Sequence, residues 1–521
     1  MSDSPRPRLL YFNGPWDYLG ERLRISYIDT FRRLLEQDFE VIPAEGDRDF
    51  RREVETHRPD MALFHAGTES PLERESNIRH TDAFPDLPRA GYVFRDPFSP
   101  SRLASMNRLR AWGVNQVFTD FRASDSPIPF FADSIYLPWW ADDTTFRDYG
   151  ERKSIPITLA GSGWLTRKFY SWRHPIFIEL ARRLPVYHVP AFETHQKNDA
   201  YVGESYARLL NRSLIAGGCG TVCRYLTLKL LEIPASRCCL LTEETEVMKS
   251  LGFQDGVNCI FAEEKNAVAK VSAILDDPAR LQAITEAGYE LVRWRHTQGS
   301  RRMIREWLDL WRRRAPGERV VQGHPLEPLR LARPGEILAP AFPTENPLLE
   351  KLQSGYRFLG ERRWTDAIET FTGVLDAIPY VAEASLGIAM ARLEMGEPAA
   401  ALPYLEHIFA MQAKLCNYPR PDPISLAYAA VACLRVGQPD TAFGLLARHG
   451  RVRHPALNAL RWHVARHWRK FRSRHAGWAA DENSEIQNSE SIHLLPPRPF
   501  AEWLEHWSVQ VPVAQPATVP A

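Results

Sequence analysis

An alternation of short apolar runs with amphipathic helical stretches passes twice through the first two thirds of the chain, and it leaves few folds open. Between Leu9 and about Leu137 the runs LLYFNG, FEVIPA, MALFHAG, GYVFRD and QVFTDF are rich in strand formers and end in turn residues. Helical patterns such as ERLRISYIDTFRRLLEQ and PSRLASMNRLRAW lie between several of them. This order predicts a parallel sheet flanked by helices. A second series follows the polar stretch DDTTFRDYGERKS, with strands expected at ITLAG (157–161), VYHVPA (186–191), SLIAGG (213–218), CCLLTE (238–243) and NCIFA (258–262). Two α/β units in tandem leave a cleft between them, which suits a large two-part substrate.

Residues 314–347 contain seven prolines and no sustained periodicity, the composition of an extended inter-domain linker. Beyond it the period changes. Gly360, Gly396 and Gly437 stand at the same point of successive helical hairpins, 36 and 41 residues apart. With Ala367, Phe371 and Pro379 at the matching offsets, the segment resembles degenerate tetratricopeptide repeats, so a small helical-repeat domain is expected over 348–476. The stretch RVRHPALNALRWHVARHWRKFRSRHAGW reads either as a terminal capping helix with a solvated basic face or as a basic surface for anionic lipid or an acidic partner. Residues 477–521, ending PVAQPATVPA, read as mostly disordered.

At 521 residues the chain is too long for one core, and three units are the natural expectation. Its 65 basic residues balance 64 acidic ones, so no global field draws nucleic acid or an anionic membrane. The Arg/Trp-rich segment would bind nucleic acid only with a steep salt dependence. No signal-peptide pattern opens the sequence and no run of about 18 apolar residues occurs, so a soluble cytoplasmic protein is expected. Seven cysteines, mostly inside apolar runs, fit reduced buried thiols. Cys219 and Cys223 lack a second ligand pair at zinc-finger spacing, and no metal is assigned. Asp47-Arg48-Asp49 matches a D-x-D pattern but precedes a helical stretch that it is better placed to cap.

Two constellations carry chemistry. ITLAGSGWLTRKFY puts Gly161, Ser162 and Gly163 after a strand, with Arg167 and Lys168 near the next helix. Glycine admits an anion close to the backbone, and the cations add charge, although the same pattern serves an ordinary strand-to-helix turn. In YLTLKLLEIPASRCCLL, Lys229 and Glu232 flank an expected helical stripe of Val222, Leu226, Leu230 and Ile233. A surface ion pair in that order gives only about 0.2–0.5 kcal/mol, a thin reason for the pair. A lysine can instead neutralise a diphosphate, and a carboxylate can accept both hydroxyls of a ribose.

The run from Lys229 to Arg301 resembles the C-terminal domain of GT-B glycosyltransferases, nearest to the group like the spore maturation glycosyltransferases. Lys229, Glu232, Ala235, Thr242, Phe253, Gly256, Asp277, Pro278, His296 and Thr297 fall in order on that group's motif positions. IYLPWWADDTTF resembles the family's hinge. The likeness is strong over roughly 210–310, weaker over 1–210 and absent beyond about 320. One departure is Arg237, where the family usually has glycine at a turn. Either the turn differs or the donor site has lost part of its geometry.

The resemblance implies an α/β fold of two tandem Rossmann-like domains followed by an all-α, tetratricopeptide-like domain. Residues 1–145 would form the acceptor domain and 146–313 the nucleotide-sugar domain. It implies a metal-independent hexosyltransferase with the nucleotide-sugar as donor substrate and no further cofactor. Gly161, Ser162, Arg167, Lys229, Glu232 and Thr242 would bind the donor. A base is expected near the carboxyl ends of the first domain's strands, His65 first and Asp96 second, although a lone histidine there is more often structural. His296 is expected to pack or cap. The acceptor would be a protein or a cell-envelope glycan, with the repeats recruiting it or a partner protein. The rival reading is a non-catalytic GT-B scaffold serving the repeats, which Arg237 favours.

Overall fold

The computed structural model describes residues 5–14, 16, 24–66, 76–93, 97–122, 124, 126, 128–161, 168–189, 201–324, 326–336, 345–415, 420–450, 452 and 454–467. The first unit holds strands β1 (Arg8–Asn13), β2 (Glu40–Glu45), β3 (Met61–His65), β4 (Arg89–Val93), β5 (Gln116–Thr119) and β6 (Ile135–Tyr136). They form one parallel sheet in the order β2-β1-β3-β4-β5-β6. Helices α1 (Thr30–Asp38), α2 (Phe50–His57) and α3 (Arg102–Ala111) connect them. The central strands read as continuous apolar runs because a parallel sheet is covered on both faces. Asp49 caps α2 by accepting the Arg52 N–H and also holds His80, while Asp47 accepts the Asn77 N–H. Asp49 of the D-x-D pattern thus caps a helix, and both carboxylates tie the start of that helix to the segment from Asn77 to His80.

The second unit repeats the design. Strands β7 (Ile155–Ala160), β8 (Val186–Val189), β9 (Ser213–Gly217), β10 (Cys239–Thr242) and β11 (Ile260–Phe261) form a parallel sheet in the order β8-β7-β9-β10-β11. Its helices are α4 (Arg173–Arg183), α5 (Glu204–Arg212), α6 (Lys229–Ala235), α7 (Glu246–Ser250), α8 (Ala267–Leu275) and α9 (Pro278–Arg295). Helix α10 (Met303–Arg313), the last in the span expected for the second unit, packs on the first unit. Trp307 meets Phe118 edge to face at 6.3 Å, and Arg302 pairs with Asp38 at 2.7 Å.

Two expectations change. The segment 314–347 is not uniformly extended: β12 (Arg319–Val321) and β13 (Arg330–Ala332) form an antiparallel hairpin with Val320, Leu329 and Ala332 buried. Gln322 accepts the Tyr136 N–H and donates to its carbonyl, stitching the hairpin to the first sheet's edge. The helix bearing Lys229 also begins later than its apolar stripe suggests. Val222 to Leu228 lie outside it, since Arg224 takes a left-handed φ of 54° and breaks helical continuity. At its other end α6 includes Pro234.

Helices α11 (Pro347–Gly360) and α12 (Trp364–Ala377), α13 (Ala382–Glu394) and α14 (Pro398–Leu415), and α15 (Pro423–Arg435) and α16 (Pro439–Arg448) form three successive hairpins, followed by α17 (Pro455–His467). Gly396 and Gly437 lie in the second and third turns with φ of 81° and 77°. In the first turn Arg362 takes the left-handed residue's place, at φ 59°, and Gly360 ends α11. Leu457, Leu460 and Val464 of α17 are buried, so the described part of the basic segment closes the stack; residues 468–478 lie outside the described residues.

The hairpins are built onto the first unit. Successive residues of a strand face opposite sides of its sheet. Leu10 and Phe12 of β1 belong to a core continuous with Phe371 and Leu386 of the hairpins, whereas Leu9 and Tyr11 join the core shared with Trp307 and the second unit. At the first interface Arg102, which opens α3, pairs with Glu383 of α13, both fully enclosed. The Arg102 guanidinium also donates to the Pro97 carbonyl, and Tyr356 donates to the Glu383 carbonyl at 3.0 Å.

His296 fastens the two α/β units at the chain's return. Arg301 donates to its Nδ1 at 3.0 Å, so Nε2 carries the hydrogen and donates to the Leu251 carbonyl at 2.8 Å. The ring stacks on Phe253, and the His296 carbonyl accepts the Ala141 N–H of the hinge. Burial, reinforced by Arg301, holds its pKa down at about 3 against an ordinary 6.5. Between those values the unfolded chain binds a proton that the folded one refuses, so stability falls as pH falls through this window. The slope is at most about 1.4 kcal/mol per pH unit. Unfolding midpoints followed from pH 7 to 4 are expected to drop more steeply for the wild type than for His296→Gln.

Candidate functional site

In open α/β sheets ligands bind outside the carboxyl ends of the strands, where strand order reverses. Here the reversals fall between β1 and β3 and between β7 and β9. His65 ends β3 and therefore stands at the first. It is enclosed, at 3% exposure, among Tyr11, Trp16, Phe31 and Tyr92, and its Nδ1 shares a 2.7 Å hydrogen bond with the Tyr11 hydroxyl. Asp96 lies outside the described residues.

At the second reversal Gly161 follows β7 with φ 130°, a conformation that favours glycine. A β-carbon there would collide with Nη1 of Arg173 and come within 3.2 Å of Nζ of Lys229. Lys229 donates to the Ala160 carbonyl at 3.1 Å, which places its ammonium at the carboxyl end of β7. Two cations thus meet at one glycine. Ser162 and Arg167 lie outside the described residues.

Glu232 shares the first turn of α6 with Lys229, but its side chain faces the other way along the cleft. It lines a small cavity between the units with Ser26, Thr30, Trp140, Asp142 and Thr145, and is 7% exposed. Arg33 of α1 pairs with Asp142 across this junction. Thr242 ends β10, fully buried, and its hydroxyl has no hydrogen-bond partner among the described residues. Lys229 and Gly161 therefore meet at one corner of the cleft, the carboxyl end of β7, while Glu232 faces the cavity between the units and Thr242 ends β10 two strands away.

Four residues beside this corner escaped the reading of the sequence. Glu243, just after β10, accepts the Gly220 N–H at 3.0 Å; burial pushes its pKa up to about 7, against the opposing pull of Arg224. Arg224 pairs with Glu345 at 2.9 Å, and the same carboxylate accepts the Glu246 N–H at 2.9 Å. Glu345 immediately precedes Asn346, the cap of α11, so the approach to the hairpins is tied to the second unit. Arg173 opens α4, beneath the ring of Tyr170 at 3.9 Å. A cation in the first turn opposes the helix dipole, and that mismatch was the available signal. Nothing in the local sequence marks Glu345, whose partners lie about 100 residues away or more.

Arg237 does adopt a left-handed backbone, at φ 53°, so the turn keeps the geometry that glycine would supply. Its guanidinium pairs with Asp148 at 2.7 Å and Glu286 at 2.5 Å. It follows the carboxyl end of α6, whereas Lys229 opens the helix, about 10 Å away along its axis, and Glu232 lies one turn in. The turn leads into the amino end of β10, the opposite end of the strands from the cleft, and Arg237 leaves the corner's geometry intact. Arg237→Gly should relieve backbone strain while losing two half-exposed pairs, a net change under about 1 kcal/mol. Chemical denaturation should register that small shift, and titration with a nucleoside diphosphate should give the wild-type affinity.

Residues 145–309 match a sequence family described as glycosyl transferase-like. No curated protein matches the chain. Solved structures similar in outline include HepE from Anabaena in complex with UDP and glucose, at 13% identity over 58% of this chain and 100% of that one, with a TM-score of 0.38. Sucrose-phosphate synthase from Thermosynechococcus elongatus is similar at 10% identity over 59% and 99%, with a TM-score of 0.37. The pneumococcal O-GlcNAc transferase GtfA in complex with UDP and GlcNAc is similar at 12% identity over 50% and 58%, with a TM-score of 0.32. Among the described residues no helix is long and apolar enough to cross a membrane.

Proposed function

We propose that the protein is a glycosyltransferase that takes a sugar from a nucleotide-sugar donor held by the second α/β unit. The observation that carries this reading is the first turn of α6. It sets Lys229 against the carboxyl end of β7 and the enclosed carboxylate of Glu232 into the cavity between units, inside the segment that matches the glycosyl transferase-like family. Lys229 would face the donor's diphosphate and Glu232 would accept the ribose hydroxyls. In the transfer the bond between the anomeric carbon and the diphosphate oxygen breaks, and its electron pair stays on the diphosphate. The acceptor oxygen bonds to the anomeric carbon and releases its proton to a base, for which His65, at the first reversal point, is the candidate by position. Cations and amide donors at the corner take up the charge on the leaving diphosphate, the part that a metal plays in other transferases.

The acceptor is proposed to be a protein or a cell-envelope glycan, approaching the first unit. The hairpins, read as tetratricopeptide-like, would present it or a partner protein, since stacked hairpins offer a binding surface and no chemistry of their own. Incubation with a panel of nucleotide-sugars, followed by assay of released nucleoside diphosphate, tests the reading. One donor is expected to be turned over, and the absence of release or binding with every donor would count against it.

A further inference from the structure

The hairpin stack holds the two α/β units in different ways. Its grip on the first is enclosed, with Arg102 and Glu383 fully buried and the strand residues Leu10 and Phe12 in a common core with the hairpins. Its grip on the second is shallow. Among the described residues Cys223 is the one residue of the second unit fully buried in that core, with Phe169, Val222 and Tyr225 partly buried against it. Two ion pairs accompany this patch. Glu345 pairs with Arg224 at 2.9 Å, both about one-third exposed, and Asp376 of α12 pairs with Lys168 at 3.0 Å, both more than half exposed. Exposed pairs contribute little and weaken with salt, whereas breaking an enclosed pair is costly. Of the stack's two boundaries, the weaker is therefore the one with the second unit.

The residues at that boundary belong to the loops of the cleft. Lys168 and Phe169 lie between β7 and α4, and residues 220–225 lie between β9 and α6, so both stretches leave the carboxyl ends of strands, where ligands bind in such sheets. The Val222 N–H donates to the Phe169 carbonyl at 2.7 Å and joins the two. The Gly220 N–H donates to Glu243, just after β10. Arg224 stands at φ 54°, a left-handed conformation that a residue other than glycine keeps only where its surroundings impose it. Glu345 grips the Arg224 side chain and accepts the Glu246 N–H at 2.9 Å. We propose that Glu345 and Asp376 form a releasable latch between the hairpins and the cleft. While it is made, residues 220–225 are fixed against the stack. When it parts, Arg224 can relax and the loops after β7 and β9 are free to move, with the hairpins still seated on the first unit. The helical stack would thus regulate the cleft as well as present a partner to it, whichever ligand the cleft takes.

Cys223 reports on the latch, because its thiol is enclosed at this boundary, whereas Cys238 is buried inside the second unit and Cys433 inside the stack. The native full chain is treated with iodoacetamide, and the rate of alkylation at each cysteine is followed by peptide mass spectrometry. Glu345→Ala removes an ion pair and the acceptor of the Glu246 N–H, so Cys223 should react at least about fivefold faster than in the wild type, with Cys238 and Cys433 within about twofold. Raising sodium chloride from about 0.05 M to about 0.5 M should speed Cys223 in the wild type by about threefold or more, and much less in Glu345→Ala combined with Asp376→Ala. A Cys223 rate in Glu345→Ala within about twofold of the wild type overturns the proposal. So does a rise shared equally by Cys238 and Cys433, which marks loosening of the whole protein, and so does a wild-type rate at Cys223 that salt leaves unchanged. If Glu345→Ala does not fold, Glu345→Gln decides, since it keeps an acceptor and gives up the charge. An increase of about threefold at Cys223 is expected there, and none would overturn the latch.

Discussion

Glu383→Ala is expected to destabilise the protein by about 3–5 kcal/mol, because it strands the Arg102 guanidinium in a fully enclosed interface. The loss should appear as a lower denaturant midpoint. Arg102 would keep the Pro97 carbonyl and the face of Phe98, at 6.0 Å, neither of which carries a compensating negative charge. The paired substitution Arg102→Met with Glu383→Leu should restore most of the stability, since a buried ion pair is often replaced by apolar groups at little cost. A drop of less than 1 kcal/mol in Glu383→Ala would mean that the hairpins rest only loosely on the first unit. The expected size of the effect says something about architecture. With Leu10 and Phe12 of β1 sharing a core with Phe371 and Leu386, the hairpins should unfold together with the first α/β unit rather than as a tethered module.

Glu232→Ala carries the largest expected effect on function. Each hydrogen bond to a charged carboxylate contributes roughly 1.5–3 kcal/mol, so losing two ribose contacts should weaken nucleoside diphosphate binding by about a hundredfold or more. The folded protein should tolerate the change, because Glu232 lines a cavity at the junction of the units rather than an apolar core. Titration with the nucleoside diphosphate, with thermal unfolding as the control for folding, separates the two. Binding within threefold of the wild type would remove Glu232 from the donor site.

Much of the fold could be read from the chain because strand and helix periods differ and parallel strands are buried on both faces. Every apolar run singled out in the two series contains a strand, and the spacing of Gly396 and Gly437 falls on real turns. The misreadings share a cause: tertiary contacts overrode local pattern. The apolar spacing of Val222 and Leu226 suggested helix, whereas Arg224, tied to Glu345 from beyond the second unit, turns left-handed. The proline count of 314–347 suggested an extended linker, yet Val320 and Leu329 found a buried surface to fold against. Helix α10 closes the span expected for the second unit, and Trp307 and Arg302 rest it on the first, contacts that no local pattern announces.

The site was legible in part for a comparable reason. Lys229 and Glu232 stood out because an ion pair in that order contributes too little stability to account for them. Arg173, Glu243 and Glu345 come from three separate stretches, and only the fold brings them to one corner. Arg237 drew suspicion because a non-glycine residue in a left-handed turn is costly. It pairs there with Asp148 and Glu286, at the amino ends of the strands, away from the cleft.

Calorimetric titration of the wild-type protein with uridine and guanosine diphosphates, repeated with the Lys229→Met and Glu232→Ala variants, addresses the donor site most directly. Saturable one-to-one binding of one of them, weakened at least tenfold by either substitution, is the result expected if the start of α6 holds a nucleotide-sugar. Binding of neither nucleotide, or binding that both substitutions leave unchanged, would contradict it.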